Sequence, residues 1–258
     1  MSAGDSKRIL TTRRALVAGG LAAAGAAALG AAARVAGRRG LIPPDYGGVY
    51  GVGETLTYAA QRLLVRGASL AREFPPEAVS KVAPVNGDPP QSDEYLRLLE
   101  GGFVDWRLAV DGLVARPSSF SLEDLRRLPV RSQITALACE EGWSYIAEWT
   151  GAALSDVLAV AGVLPQARYV VFFPYDEWWD SLDMQDALHP QTLVAYGMNK
   201  TPLSAEHGAP VRLRVPRQLG YKSFKYLARM TLTDRLDRFG TGQGSAAAES
   251  GYSWYAGI

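Results

Sequence analysis

The sequence predicts an α+β fold, a mixed β-sheet accompanied by short helices, and three observations carry that prediction. Short runs of period-two alternation recur between Trp106 and Thr233, helical spacings of apolar residues lie among them, and Gly and Pro break the chain at uneven intervals. Strands and helices in so irregular an order do not fit a regular doubly wound sheet. With 258 residues, 48% of them hydrophobic and 21% charged, the chain has material for a sizeable core.

Taken from the N-terminus, Lys7-Arg8 and Thr11-Thr12-Arg13-Arg14 precede an uncharged Ala/Gly/Leu run from Ala15 to Ala33. Paired arginines before a weakly apolar run have the form of a twin-arginine signal, and residues 1–40 are read as such a signal or a retained anchor rather than as an ordinary hydrophobic helix. That route carries proteins already folded, which suits a chain that must acquire a cofactor before export. Residues 41–73 read as linker and helix, with Leu56, Ala59, Ala60, Leu63 and Leu64 at helical spacing. Prolines and glycine between Phe74 and Ser92 predict a long ordered loop.

The main domain is placed at 74–239. Trp106 to Val110 alternates, Asp111-Gly112 signals a turn, and Leu113-Val114 is expected to begin a return strand. Ser121 is placed to cap a short helix through Leu128, with Asp124 as the answering residue of a capping box. Arg131 to Ala138 is read as a strand leading straight to Cys139, Leu154 to Ala161 as a helix stopped by Gly162, and Arg168 to Phe173 as a strand. Val211 to Val215 and Ala228 to Thr233 are two further strands. No internal repeat is seen. Residues 240–258 read as a flexible linker followed by an aromatic tail that docks on the domain or meets a membrane partner.

The formal net charge of +1 gives no basic field for nucleic acid, so a charged ligand must be bound locally. A single cysteine, Cys139, excludes an intramolecular disulfide and leaves the thiol either inert or chemically used. It stands in Leu137-Ala138-Cys139-Glu140-Glu141-Gly142-Trp143-Ser144, where a strand gives way to a Gly-containing turn that can project one side chain into a cleft. A second cluster, Glu206-His207-Gly208-Ala209-Pro210-Val211-Arg212-Leu213-Arg214, runs on to Gly220-Tyr221-Lys222-Ser223-Phe224-Lys225. It gathers one histidine, loop glycines and the cations Arg212, Arg214, Arg217, Lys222 and Lys225, a mixture of guanidinium forks and ammonium point charges suited to a phosphate. A solvated basic face is the plainer alternative.

In order and spacing, these two clusters resemble the molybdopterin domain of the sulfite-oxidase family, with Trp106-Arg107-Leu108 and Asp186-Ala187-Leu188-His189-Pro190 as further landmarks from about Phe74 to Leu232. The resemblance implies molybdopterin with one molybdenum ion as cofactor and Cys139 as both metal ligand and catalytic residue. It implies that His207 and Arg212 touch the pterin and its phosphate, that Ser223, Phe224 and Lys225 form a cradle with Lys222 as an added cation, and that Asn86 reaches the cofactor from the upstream loop. The family's chemistry is two-electron oxygen-atom transfer. Its periplasmic methionine-sulfoxide reductases share the twin-arginine signal and the lack of a built-in haem or iron–sulfur relay, which implies a membrane cytochrome or another carrier as electron partner.

Substrate discrimination is expected at Glu141, Tyr175, Trp178 and Trp179, an acidic and aromatic rim that favours an apolar or cationic substrate, disfavours a dianion such as sulfite, and points to reduction of a neutral S-oxide or N-oxide. Sulfite-type oxidation at the same site is the alternative turnover. Two readings of other classes stay open: a thiol enzyme with Cys139 as nucleophile and His189 or His207 as base, and an exported anion-binding module without metal.

Overall fold

The computed structural model describes residues 28, 30–37, 40–46, 51–64, 69–176 and 178–258. Arg13, Arg14 and the apolar run as far as Ala27 lie outside the described residues, as does Glu177. From Pro44 onward the described residues belong to one unit, and no helix among the described residues is long and apolar enough to cross a membrane.

Chain order begins with helix α1 (Gly51–Leu64) and α2 (Asp93–Glu100), then strands β1 (Leu108–Gly112) and β2 (Ser118–Phe120). Helix α3 (Leu122–Arg127) follows, with the Ser121 to Asp124 capping box in place, then the long hairpin β3 (Val130–Ala138) and β4 (Ser144–Ala153). Helix α4 (Leu154–Ala161) ends at Gly162, whose φ of 72° is the left-handed cap glycine tolerates. The chain continues through β5 (Tyr169–Pro174), β6 (Asp180–Asp183), α5 (Met184–Ala187), β7 (Leu193–Met198), β8 (Thr201–Pro202), β9 (Arg212–Arg214), β10 (Leu227–Thr233) and α6 (Ala246–Glu249).

Two five-stranded sheets result. The first runs β2-β1-β10-β5-β6 and is mixed, since β1 lies parallel to β10 while its other pairs are antiparallel. The second runs β3-β4-β7-β8 with β9 added alongside β7, all antiparallel. Trp106, Leu108, Val110, Leu154, Leu158, Phe172, Leu213 and Met230 form the principal core; Leu137, Tyr145, Trp149 and Leu193 form another. The α+β class with a mixed sheet is therefore the observed one.

Details depart from expectation. After Asp111-Gly112 the chain does not return at once: Val114 makes only an isolated bridge to Val163, and the antiparallel partner of β1 is β2. Helix α1 forms, yet its leucines face outward. Leu56, Leu63 and Leu64 are exposed, while Glu54 and Tyr58 are buried. Polar anchors explain the inversion, because Arg62 pairs with Asp183 and Asp186 and Tyr58 bonds Asp183 at 3.1 Å. Within residues 240–258, the stretch expected as a flexible linker holds α6, and the aromatic tail docks on the domain, one of its two expected readings, through Trp254, which is buried among Tyr58, Val171, Leu236 and Ala248. Burial of that indole outweighs the small, polar composition that precedes it.

Candidate active site

Cys139 reaches its place by strand periodicity. Gln133, Thr135 and Leu137 are the buried positions of β3, and Cys139, two residues on, continues that face. Its N–H bonds the Trp143 carbonyl at 2.9 Å and its carbonyl accepts from Gly142 at 3.1 Å, so the β3–β4 turn closes immediately behind the thiol. Gly142 has φ +92°, which the turn requires.

The thiol opens on a cleft of about 460 Å³, a volume typical of small-molecule sites. Facing it are the 84–88 loop, Pro174, Asp176 and Trp178, Glu206 and His207, Arg212, Gly220 and Tyr221, residues 223–225, and Tyr252. Asn86 Nδ2 is 3.8 Å from the Cys139 sulfur, and the Glu140 and Glu141 carboxylates stand 3.4 and 3.9 Å from it. Burial, with the Glu140 charge added, pushes the thiol above its ordinary range. No histidine is a hydrogen-bond partner of Sγ: His189 is buried against Ser69 and Gln191, and His207 Nδ1 is 3.1 Å from Ser204 Oγ. A Cys–His nucleophile pair is thus not assembled among the described residues.

The cationic cluster divides sharply. Arg212 lines the cleft, donating to the His207 carbonyl at 3.0 Å and the Ser223 carbonyl at 2.7 Å, while its ring neighbour Trp149 lies 5.1 Å away. Lys225 lines it too, and its ammonium holds the Asn86 carbonyl at 2.6 Å and the Glu206 carbonyl at 3.1 Å, tying the upstream loop to the cleft floor. Burial lowers that ammonium to about 8, so it stays mostly charged near pH 7, and a bound anion would raise it again. Arg214 turns under the floor to Thr135, Ala136 and Ser223, Arg217 pairs with Asp186 at 3.5 Å, and Lys222 is fully buried on Asp180 at 2.5 Å.

Lys222 is therefore not a cleft cation, a correction to the sequence expectation: its charge is consumed by a carboxylate 42 residues earlier. The Ser223 hydroxyl is likewise turned inward to Arg214 and the Val215 amide, although the residue and Phe224 both border the cleft. Of the expected substrate residues, Glu141 and Trp178 line the cleft, whereas Tyr175 and Trp179 do not. Pro174, Asp176 and Trp178 occupy alternate positions facing the cleft. Tyr175 packs on Tyr95 at 5.8 Å and Trp179 on Phe239 at 6.2 Å, neither lining the cleft. Sequence reasoning missed Trp143, Tyr145, Tyr221 and Tyr252. The Tyr145-Ile146-Ala147-Glu148-Trp149 alternation was a strand signal that would have found the first two.

Two glycines shape the floor. A Cβ on Gly208, at φ +101°, would lie 2.9 Å from Lys225 Cβ, and one on Gly220 would lie 3.0 Å from Leu137 Cδ2 and 3.6 Å from Cys139 Cα. Nε of Arg212 is buried without a partner, and Nε2 of His207 is buried with no well-formed hydrogen bond, having only the Ala83 backbone near it. Buried polar atoms left open toward a cleft fit a polar ligand. No group of three or more His, Cys, Asp or Glu among the described residues could hold a metal by itself, so a metal at Cys139 needs ligands from beyond these side chains.

Comparison with known proteins agrees with that geometry. Residues 99–238 match the family described as oxidoreductase molybdopterin binding domain. The chain is 33% identical over 188 residues, 73% of its own length and 68% of the relative's, to a protein of Azospira oryzae provisionally named protein-methionine-sulfoxide reductase subunit YedZ1. It is 30% identical over 174 residues to the protein-methionine-sulfoxide reductase catalytic subunit MsrP of Campylobacter jejuni, covering 60% of this chain and 57% of that one. Among solved structures, the sulfane dehydrogenase SoxCD from Paracoccus pantotrophus is similar at a TM-score of 0.50 and 26% identity, over 56% of this chain and 40% of that one. The chain thus spans little more than half of MsrP and less than half of that SoxCD chain.

Proposed function

The chain belongs to the oxidoreductase molybdopterin-binding domain family, and from that premise we propose that its cleft holds molybdopterin with one molybdenum ion, ligated by Cys139, and reduces an S-oxide. The observation that carries the proposal is that Cys139, Arg212, Lys225 and His207 line one cleft, a soft sulfur donor together with the elements of an anion cradle. When bound, the cofactor supplies two-electron oxygen-atom transfer.

The chain's own residues do the rest. Arg212 and Lys225 balance the phosphate, Asn86 and His207 border the pterin, and Ser223 and Phe224 close the floor with backbone. The β3–β4 turn holds Cys139 in one orientation. Glu140, Glu141 and Asp176, with Trp143 and Trp178, also line the cleft, and their carboxylates repel a dianion and accept a neutral oxide. Two relatives named as methionine-sulfoxide reductase subunits favour reduction of an S-oxide. The likeness to a sulfane dehydrogenase favours, as the second reading, oxidation of a reduced sulfur compound at the same centre. Since Cys139 is the one cysteine of the chain, we assign electron delivery to a separate carrier, such as a membrane cytochrome, and assign the Arg13-Arg14 segment to twin-arginine export into the periplasm, cleaved or kept as an anchor.

Metal analysis by mass spectrometry of protein from a molybdate-fed host tests the proposal. Wild type should carry near-stoichiometric molybdenum with pterin and reduce an S-oxide from an artificial donor. Cys139→Ser should lose turnover, and the double variant Arg212→Ala/Lys225→Ala should lose the cofactor. Folded wild-type protein without molybdenum, from a host that makes the cofactor, would overturn it.

A further inference from the structure

The C-terminal segment is part of the cleft. Tyr252 is the one residue after Lys225 that lines it, and its ring lies 5.5 Å from that of Tyr221, another lining residue. Its backbone is fixed from both sides. Upstream, the Tyr252 amide bonds the Ala247 carbonyl of α6 at 3.0 Å. Downstream, the Ser253 carbonyl accepts from Tyr221 Oη at 2.7 Å.

Beyond Tyr252 the chain runs as a strap along Arg217 to Lys222, the stretch that leads directly into the cofactor cradle. The Leu219 amide bonds the Ala256 carbonyl at 2.8 Å, Gln218 bridges Gly257, and the Ile258 amide bonds the Arg217 carbonyl at 3.0 Å. Trp254, 2% exposed, is the pin. Its amide donates to Asp45 Oδ2 at 2.7 Å, its indole N–H to Ser181 Oγ at 2.8 Å, and its ring lies 5.1 Å from the Lys222 ammonium. Two buried carboxyl oxygens, Asp45 Oδ1 and Glu54 Oε1, have no donor among the described residues. Glu54 meets the Asp45 side chain and also bonds the Ser253 side chain and the Trp254 backbone, which joins α1 to the strap.

A side chain fixed this firmly, yet 43% exposed at the cleft, has no evident duty to the fold. Trp254 and the backbone bonds already hold the strap. We propose that Tyr252 is a specificity-determining residue, and that the strap presents its ring as a wall for the part of the substrate beyond the oxide group. The ligand class it fits is an S-oxide carried on an apolar chain long enough to reach the mouth, such as a peptide methionine sulfoxide, in preference to a compact oxide that reaches only the metal. The inference rests on the reading of the site given above.

The experiment compares the KM for a methionine-sulfoxide peptide with that for dimethyl sulfoxide, in holoenzyme of known molybdenum content. In Tyr252→Ala the ratio of the two KM values should rise about three- to tenfold, the scale of one lost aromatic contact, and Tyr252→Phe, which keeps the ring, should restore it. Tyr252→Leu serves where the alanine variant fails to fold, and the same rise is expected. Calorimetric titration with a methionine-sulfone peptide, a non-reduced probe of the same shape, should show a parallel loss of affinity. An unchanged KM ratio together with unchanged sulfone affinity in folded, molybdenum-loaded Tyr252→Ala would overturn the proposal. A wild-type enzyme that binds the sulfone but turns over no S-oxide would instead defeat the reading of the reaction, and the titration would still decide on Tyr252.

Discussion

Replacing Lys222 by methionine separates two roles for one cation. Were Lys222 a cofactor ligand, Lys222→Met would lose molybdenum and little else. The structure gives it a different partner: both it and Asp180 are fully buried, 2.5 Å apart, with the Ser181 carbonyl at 3.2 Å completing the ammonium's contacts. Burial raises Asp180 to about 6 even beside that ammonium, so near pH 7 the carboxylate is charged and depends on Lys222. Removing one partner of such a pair costs about 3–5 kcal/mol. For a domain of this size, at about 2–4 °C per kcal/mol, the melting temperature should fall by roughly 6–20 °C. The double variant Lys222→Met/Asp180→Asn removes both charges and should recover most of that loss, since a buried pair replaced whole is close to neutral. Scanning calorimetry measures the stability and mass spectrometry the molybdenum per folded molecule. A double variant as stable as wild type but free of molybdenum would refute the reasoning and return Lys222 to the cofactor.

Two more predictions follow from named atoms. Gly208→Ala sets a Cβ 2.9 Å from Lys225 Cβ at a φ that side chains rarely adopt, and should cost about 1–3 kcal/mol with loss of cofactor retention; full molybdenum at unchanged melting temperature would argue that Lys225 is not held there. Burial, with Asp45 beside it, raises Glu54 to about 7 from an ordinary carboxylate value near 4.5. A raised acid stabilises the folded state fully below its unfolded value and ceases to as pH climbs through the folded one. Strap docking should therefore weaken between about pH 4.5 and 7, seen as faster hydrogen exchange at the Trp254 amide relative to the β3–β4 hairpin; a strap whose relative protection does not change with pH would refute it.

Much of the centre was legible because it depends on local signals. Period two carries Gln133, Thr135 and Leu137 to Cys139, and Gly142 marks the turn that ends the strand. Ser121 and Gly162 announced the limits of α3 and α4 through capping chemistry alone. What failed were questions whose answer lies far along the chain. Lys222 and Lys225 are alike in sequence, and only Asp180 decides that one is buried in an ion pair while the other meets the cleft. Helix α1 has apolar residues at the right spacing for a core face, but Asp183 and Asp186 draw Tyr58 and Arg62 inward and leave Leu56 and Leu63 outside. The tail carries no periodicity, and nothing near Trp254 in sequence reports the Asp45 and Ser181 acceptors that receive its two N–H groups.

The same dependence on distant partners explains how the cleft sorts its charges. Arg212 and Lys225 bring positive charge to the cleft lining, whereas Glu140 and Glu141 put carboxylates beside Cys139 and Asp176 puts one near Lys225. If Arg214, Arg217 and Lys222 also opened on the cleft, its field would be strongly cationic throughout and would draw any anion, including a sulfite-like one, to the wrong place. Their burial on carbonyls and on Asp180 and Asp186 leaves Arg212 and Lys225 as the cleft's cations among the five of that cluster. Structural ion pairs outside the cleft thus shape the field inside it. A chain with net charge +1 can in this way set a local cationic site beside carboxylates.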